Sequence, residues 1–187
     1  MKKLIYLLLA LTVISCHKKN EEISPDSIYN VKTQWEQQDG KKITFSDLKG
    51  KVLVTAMIFT SCTTACPRLT AEMKNISRQV GEVDPDDIQY ILITIDPEND
   101  TPEVMKKYLS NFKLNGKEWL FLRANEEDVR SLANVMAVKY KQISPVEFSH
   151  SNIISVYSKE GKLAFQKEGL NVEINETVNA VKKQLKF

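Results

Sequence analysis

An apolar run broken only by Thr55, Val52-Leu53-Val54-Thr55-Ala56-Met57-Ile58-Phe59, leads straight into Thr60-Ser61-Cys62-Thr63-Thr64-Ala65-Cys66-Pro67. After it, Leu69, Met73, Ile76 and Val80 recur at helical spacing. A run with no polar face is a strand buried on both sides, here spanning Lys51 to Phe59. The helix that follows covers about Cys66 to Val80, with Pro67 tolerated because first-turn N–H groups have no intrahelical partner. Cys62 and Cys66 therefore sit where a strand turns into a helix. Their spacing lets both sulfurs point the same way, and a helix N-terminus favours thiolate over thiol.

The remaining pattern extends this unit. Tyr29 to Glu36 and Lys41 to Phe45 flank the turn Gln38-Asp39-Gly40, which predicts an N-terminal hairpin. Gln89 to Ile95 is a second core strand. The loop Asp96-Pro97-Glu98-Asn99-Asp100-Thr101-Pro102 ends in a helix start, with Thr101 as cap and Pro102 at the first helical position, and the helix runs to about Phe112. Trp119 to Arg123 is a short strand, and Asn125 with Asp128 caps a further helix carried by Val129, Leu132, Ala133 and Met136. An irregular stretch from Ala137 to Phe148 follows. The chain closes with strands Asn152–Tyr157 and Lys162–Gln166 about the turn Lys159-Glu160-Gly161, then a helix from about Glu173 to Leu185. The fold class is α/β: a mixed sheet covered by helices on both faces, with an N-terminal β-hairpin extension. The pattern contains no internal repeat and no second domain boundary.

Met1-Lys2-Lys3 followed by the apolar stretch Leu4 to Ser15 is a basic start and a hydrophobic segment too short for a stable membrane span, as in an export signal. Val13-Ile14-Ser15-Cys16 resembles the lipobox of bacterial lipoproteins, so residues 1–15 are expected to be removed and Cys16 to be lipidated. An ordinary signal with an incidental cysteine also leads out of the cytoplasm. Residues 16–27 are then a lipid-anchored flexible tether, with His17 as part of it, and 28–187 form the domain. The expected location is the periplasmic side of a bacterial membrane. With 26 Lys and Arg against 24 Asp and Glu and no basic stripe interleaved with aromatics, nothing points to nucleic acid.

Lipidation of Cys16 would leave an even pair, Cys62 and Cys66. A domain of this length has core enough without disulfides, so the pair is not needed for folding. Cys66 lies on the same stripe as Leu69 and Met73, and Cys62 would too if the helix reached back that far, which fits inert core cysteines. The polar Thr60, Ser61, Thr63 and Thr64 and an oxidising compartment favour a use for them. Thiol oxidoreductases of the thioredoxin type have two residues between their cysteines, and here there are three. That spacing permits a disulfide, or two sulfurs gripping one soft ion such as Cu(I); an added imidazole would suit Cu(II) as well. His150, in Phe148-Ser149-His150-Ser151-Asn152, is the histidine available in the domain, and periodicity alone leaves it either a ligand or an ordinary structural or exposed side chain. Asp96, Asp100 and Glu103 read as turn and cap chemistry rather than as a hard-metal or acid–base site.

Lys49-Gly50-Lys51, Phe59-Thr60-x-Cys62-x-x-x-Cys66-Pro67, Ile95-Asp96-Pro97-Glu98-Asn99-Asp100-Thr101-Pro102-Glu103 and His150-Ser151 together resemble the SCO/SenC family of thioredoxin-fold copper chaperones for cytochrome c oxidase assembly. The similarity covers most of the chain after about Tyr29. It implies a thioredoxin-like sheet, copper as Cu(I) or Cu(II) on Cys62, Cys66 and His150, and delivery to the CuA subunit of a respiratory haem–copper oxidase or another copper acceptor. A copper donor or a thiol reductant is the implied upstream partner. The alternative is a thiol–disulfide reductase in which Cys62 and Cys66 are a redox-active pair that keeps the oxidase's copper-ligand cysteines reduced. A third reading is a docking module without metal or electron transfer. Two positions depart from the family's common pattern: Ser149 stands where Asp is usual, and Asn99 where Arg is usual. Thr63-Thr64-Ala65-Cys66 also resembles the Thr-x-x-Cys of peroxiredoxins, but the proline ahead of the threonine is missing.

Overall fold

The computed structural model describes residues 23–145, 147–170 and 173–186. The expected leader, Cys16 and His17 lie outside the described residues. In chain order the elements are β1 Trp35–Gln37, β2 Lys42–Ile43, β3 Val52–Ile58, α1 Ala65–Val80, β4 Ile88–Thr94, α2 Pro102–Asn111, β5 Trp119–Arg123, α3 Glu126–Val135, β6 Tyr140–Ser144, β7 Glu147–His150, β8 Ile153–Tyr157, β9 Leu163–Glu168 and α4 Asn175–Leu185. Short 3-10 turns at Ile28–Asn30 and Phe45–Leu48 complete the N-terminal part. No helix among the described residues is long and apolar enough to cross a membrane.

Seven strands form one sheet in the order β2-β1-β5-β4-β3-β8-β9. β3, β4 and β5 are parallel, joined by α1 and α2 as crossovers, and every residue of β3 and β4 is buried. Two consecutive crossovers stepping the same way across a sheet place both helices on one face. The contacts agree: Thr70 of α1 and Tyr108 of α2 share a hydrogen bond of 2.9 Å, and Lys74 Nζ donates to Phe112 O at 2.7 Å. α4 packs beside α1. The opposite face is reached through β8, because successive strand residues point opposite ways. Ile154 and Thr177 of α4 line one small cavity, whereas Ser155 Oγ accepts from Gln166 Nε2, which also donates to Met136 O at the end of α3. Helices thus cover both faces, as the pattern predicts.

The termini of the helices follow from the sequence. Thr101 Oγ1 accepts from Val104 N with Pro102 behind it, and Asn125 Oδ1 accepts from Asp128 N at 2.9 Å. The N-terminal hairpin forms but is shorter than expected: Trp35 pairs with Ile43 and Glu36 with Lys42, while Ile28–Asn30 becomes a 3-10 turn. Its value is packing, since Trp35 is fully buried against Phe45 and β1 extends the sheet from β5. Ser27, at the end of the expected tether, is buried and donates to Glu160 O at 2.7 Å.

One expectation fails. Ala137 to Phe148 is not irregular: β6 and β7 pair antiparallel as a separate two-stranded sheet, with Tyr140 opposite His150 and a shift in register between Gln142 and Ser144. Lys141, Gln142 and Ile143 are exposed, so these residues have no alternation of buried and exposed faces to mark a strand.

Candidate metal and thiol centre

The site lies beyond the C-terminal ends of β3 and β4, where a parallel α/β sheet gathers its loops. β3 ends at Ile58, Phe59 is still buried, and the chain then turns through Thr60–Thr64 into α1. The loop's stem is tied to the neighbouring one by Asp100, which is fully buried. Its carboxylate accepts the Thr60 N–H at 3.3 Å to each oxygen, the Thr60 hydroxyl and the Thr94 hydroxyl. Thr94 Oγ1 in turn accepts from Asp96 N at 2.8 Å. Burial lifts the Asp100 carboxyl above the usual carboxylate range, and the threonine donors pull the other way.

The expected turn-and-cap role of this segment is therefore incomplete. Thr101 is the cap, with Glu103 accepting from its hydroxyl, and Asp96 holds Asn99, whose Nδ2 donates at 2.9 Å to each carboxylate oxygen. Asp100 does neither and reaches across 40 positions to the cysteine loop. Its only trace in the sequence is an acidic residue next to a cap it does not supply.

The two thiols are unequal. α1 begins at Ala65, so Cys62 lies outside the helix while Cys66 is in its first turn, fully buried. Cys62 is half-buried and its Sγ accepts the Cys66 N–H at 3.3 Å, with Thr64 Oγ1 at 4.0 Å. Burial opposes ionisation of Cys62, but the N–H groups of Cys66, Thr64 and Ala65 at the helix start outweigh it and hold the thiol below its ordinary value. Cys66 goes the other way: burial pushes its thiol up, and the charges of Cys62 and Asp100 add to that. The benefit of the helix start falls on Cys62 alone.

His150 closes the site from the other side. It ends β7, with two residues between it and β8, and its Nε2 is 3.3 Å from Cys66 Sγ. Its Nδ1 faces Ser151 O at 3.0 Å, and a carbonyl can only accept, so Nδ1 carries the proton. The Nε2 lone pair is left turned toward the sulfur. Burial also lowers the His150 pKa below its ordinary value, keeping the ring neutral as a metal ligand must be. Ser149 is exposed, on the opposite side of β7 from Phe148 and His150.

Two soft sulfurs and one neutral imidazole are a donor set suited to Cu(I), with the nitrogen extending it to Cu(II). The structure brings Cys66 and His150 into contact and leaves Cys62 turned onto the helix start. Among the described residues no three His, Cys, Asp or Glu side chains are already gathered around a common point. Cys62 and Cys66 are free thiols rather than a disulfide.

Comparison with known proteins fits this geometry. The SCO1/SenC family model matches residues 25–186. A SCO1 protein homolog of Bacillus subtilis is 29% identical over 167 residues, 87% of this chain and 82% of that protein. The structure of Bradyrhizobium japonicum ScoI with copper bound superposes with a TM-score of 0.69 at 26% identity, covering 81% of this chain and 96% of that one. BsSco, described with a disulfide switch and as a member of the Sco family of cytochrome c oxidase assembly proteins, superposes with a TM-score of 0.72 at 27% identity, covering 82% of this chain and 91% of that one. A match that runs from Pro25 through the last described residue, over a thioredoxin-like sheet with its thiols and histidine at one end, places the chain in the SCO1/SenC family.

Proposed function

We propose that this protein is a membrane-tethered copper metallochaperone that holds one copper through Cys62, Cys66 and His150 and delivers it to the CuA site of a respiratory haem–copper oxidase. The observation that carries the reading is the Cys66 Sγ to His150 Nε2 approach of 3.3 Å, with Nδ1 committed to Ser151 O. It sets a buried sulfur and an unprotonated ring nitrogen side by side. Cys62 completes the set by turning its half-buried side chain off the helix start. Copper recruits both thiols as thiolates, releasing their protons, which offsets the high pKa of Cys66. Few ligands, one of them accessible, suit a carrier: an acceptor thiolate can displace Cys62 first and the buried pair afterwards. The copper-bound ScoI and the oxidase-assembly role given for BsSco support both cargo and client. Lipidation at Cys16, following removal of residues 1–15, would hold the domain on the outer side of the cytoplasmic membrane or beyond it.

A second reading has its own observation. An accessible thiol held low beside a buried thiol held high is the asymmetry of an attacking and a resolving cysteine. In it the Cys62 thiolate attacks a client disulfide, Cys66 resolves the mixed disulfide, and the client leaves as a dithiol while Cys62–Cys66 is oxidised. Anaerobic copper titration of the reduced full-length protein in detergent, against a competing chelator, separates the two. One tight equivalent, lost in Cys62→Ser and Cys66→Ser and weakened in His150→Ala, is the chaperone's result. No tight copper in the wild type would overturn it and leave the reductase.

A further inference from the structure

The histidine and the cysteines sit on different strand systems. Among the described residues, His150 belongs to the β6–β7 hairpin, which shares no strand pairing with the seven-stranded sheet that ends in the cysteine loop. β8, which follows His150 after two residues, pairs with β3 only as far as Ile154 and Ala56, so beyond that ladder side-chain contacts set the distance. Phe148 and His150 are two apart on β7 and share its inward face, while Glu147 and Ser149 are exposed. Both inward rings meet the same residue: Phe59 lies 5.1 Å from Phe148, and 5.9 Å from His150 with the planes at 80°. Phe59 is almost fully buried and is the last residue before Thr60-Ser61-Cys62. Tyr140, opposite His150 on β6, packs on Phe148 at 6.4 Å and lies under the guanidinium of Arg130 of α3 at 5.2 Å.

We propose that Phe148 is the positioning residue of the metal centre: its ring, seated on Phe59, registers the histidine hairpin against the cysteine loop. The inference rests on His150 being a copper ligand. Phe148 touches no cargo itself. An offset aromatic pair of this kind adds only a modest interaction, but it is applied two residues from the ligand, where a small displacement separates nitrogen from sulfur. Groups that orient a metal ligand from behind typically change metal affinity by about 10- to 100-fold when removed.

The test loads full-length protein with one equivalent of Cu(II) and records competition affinity together with electron spin-echo modulation, which detects an imidazole nitrogen on the metal. Phe148→Ala is expected to bind copper about tenfold more weakly and to lose most of the nitrogen modulation while keeping the wild-type far-ultraviolet circular dichroism. Phe148→Tyr keeps the ring and is expected to restore both readouts to within about twofold. Should the alanine variant fail to fold, Phe148→Leu keeps the apolar bulk without the planar ring, and a smaller loss in the same direction is expected. Unchanged affinity and modulation in the alanine variant, or in the leucine variant if it stands in, beside a His150→Ala variant that loses the nitrogen signal, would overturn the positioning role alone. An unaltered His150→Ala would overturn the ligand reading and the positioning role with it.

Discussion

The two arms of the candidate centre are held by different physics. On the cysteine side, a buried carboxylate takes hydrogen bonds from Thr60 and Thr94 and locks the loop to the sheet, so the constraint is directional and short-ranged. On the histidine side, Phe148, Phe59 and Tyr140 rest ring on ring, and the constraint is packing, which tolerates sliding. The proposed carrier role would use both: the tied stem of the cysteine loop would hold Cys66 in place while Cys62 turns onto copper, and the packed histidine arm could give way as copper leaves. The contrast also separates charge from shape: Asp100 brings a buried charge close to the thiols, whereas the hairpin brings a neutral ring.

The largest effect is expected where the arms meet. Phe59→Ala empties the seat beneath both Phe148 and His150 and should cost about 3–5 kcal/mol of stability, read by urea unfolding. Next, Asp100→Ala leaves the Thr60 N–H and two threonine hydroxyls without their acceptor and should cost about 3 kcal/mol. Asp100→Asn keeps an acceptor oxygen and should cost clearly less. Equal losses in the alanine and asparagine variants would mean that the carboxylate holds the loop by its charge and not by its bonds.

A smaller effect distinguishes the arms by pH. Burial raises Asp100 above 3.8, so the folded protein binds that proton more tightly than the unfolded chain, and its contribution to stability declines as pH rises through the interval above 3.8. Burial lowers His150 below 6.5, so the unfolded chain binds that proton more tightly. Stability therefore rises with pH from the folded value up to 6.5 and is flat above it. Urea midpoints of the apoprotein across pH 4 to 8 should lose the rising part in His150→Gln and the falling part in Asp100→Asn, and a matching loss in either variant alone would merge the two arms into one titrating unit. The smallest effect is at the hairpin tip, where Ile143 is 61% exposed. Ile143→Ser should change stability by no more than about 0.5 kcal/mol while leaving copper affinity alone.

Much of the frame was legible because burial and periodicity mark it locally. β3 and β4 are mostly apolar and buried throughout, Thr101-Pro102 and Asn125 announce their helices, and Cys62 and Cys66 fall at the predicted strand-to-helix turn. What escaped was either half-exposed or distant in sequence. β6 shows no alternation of buried and exposed residues and β7 is only four residues long, so Ala137 to Phe148 read as irregular although they hold β6 and the start of the strand that carries the histidine. The unequal thiols depend on where α1 begins, and one residue decides which sulfur receives the N–H groups. Asp100 bonding to Thr60, and Cys66 meeting His150, are contacts across 40 and 84 positions that no local pattern encodes. The family resemblance supplied the role proposed for the histidine, and the tautomer that suits it came from Ser151 O.

Copper K-edge X-ray absorption of the full-length protein loaded anaerobically with one equivalent of Cu(I), compared with the His150→Ala variant, tests the central claim most directly. The account predicts two sulfur scatterers and one imidazole nitrogen in the wild type, with the nitrogen lost and both sulfurs kept in the variant. A first shell of sulfur alone in the wild type, identical in His150→Ala, would contradict it.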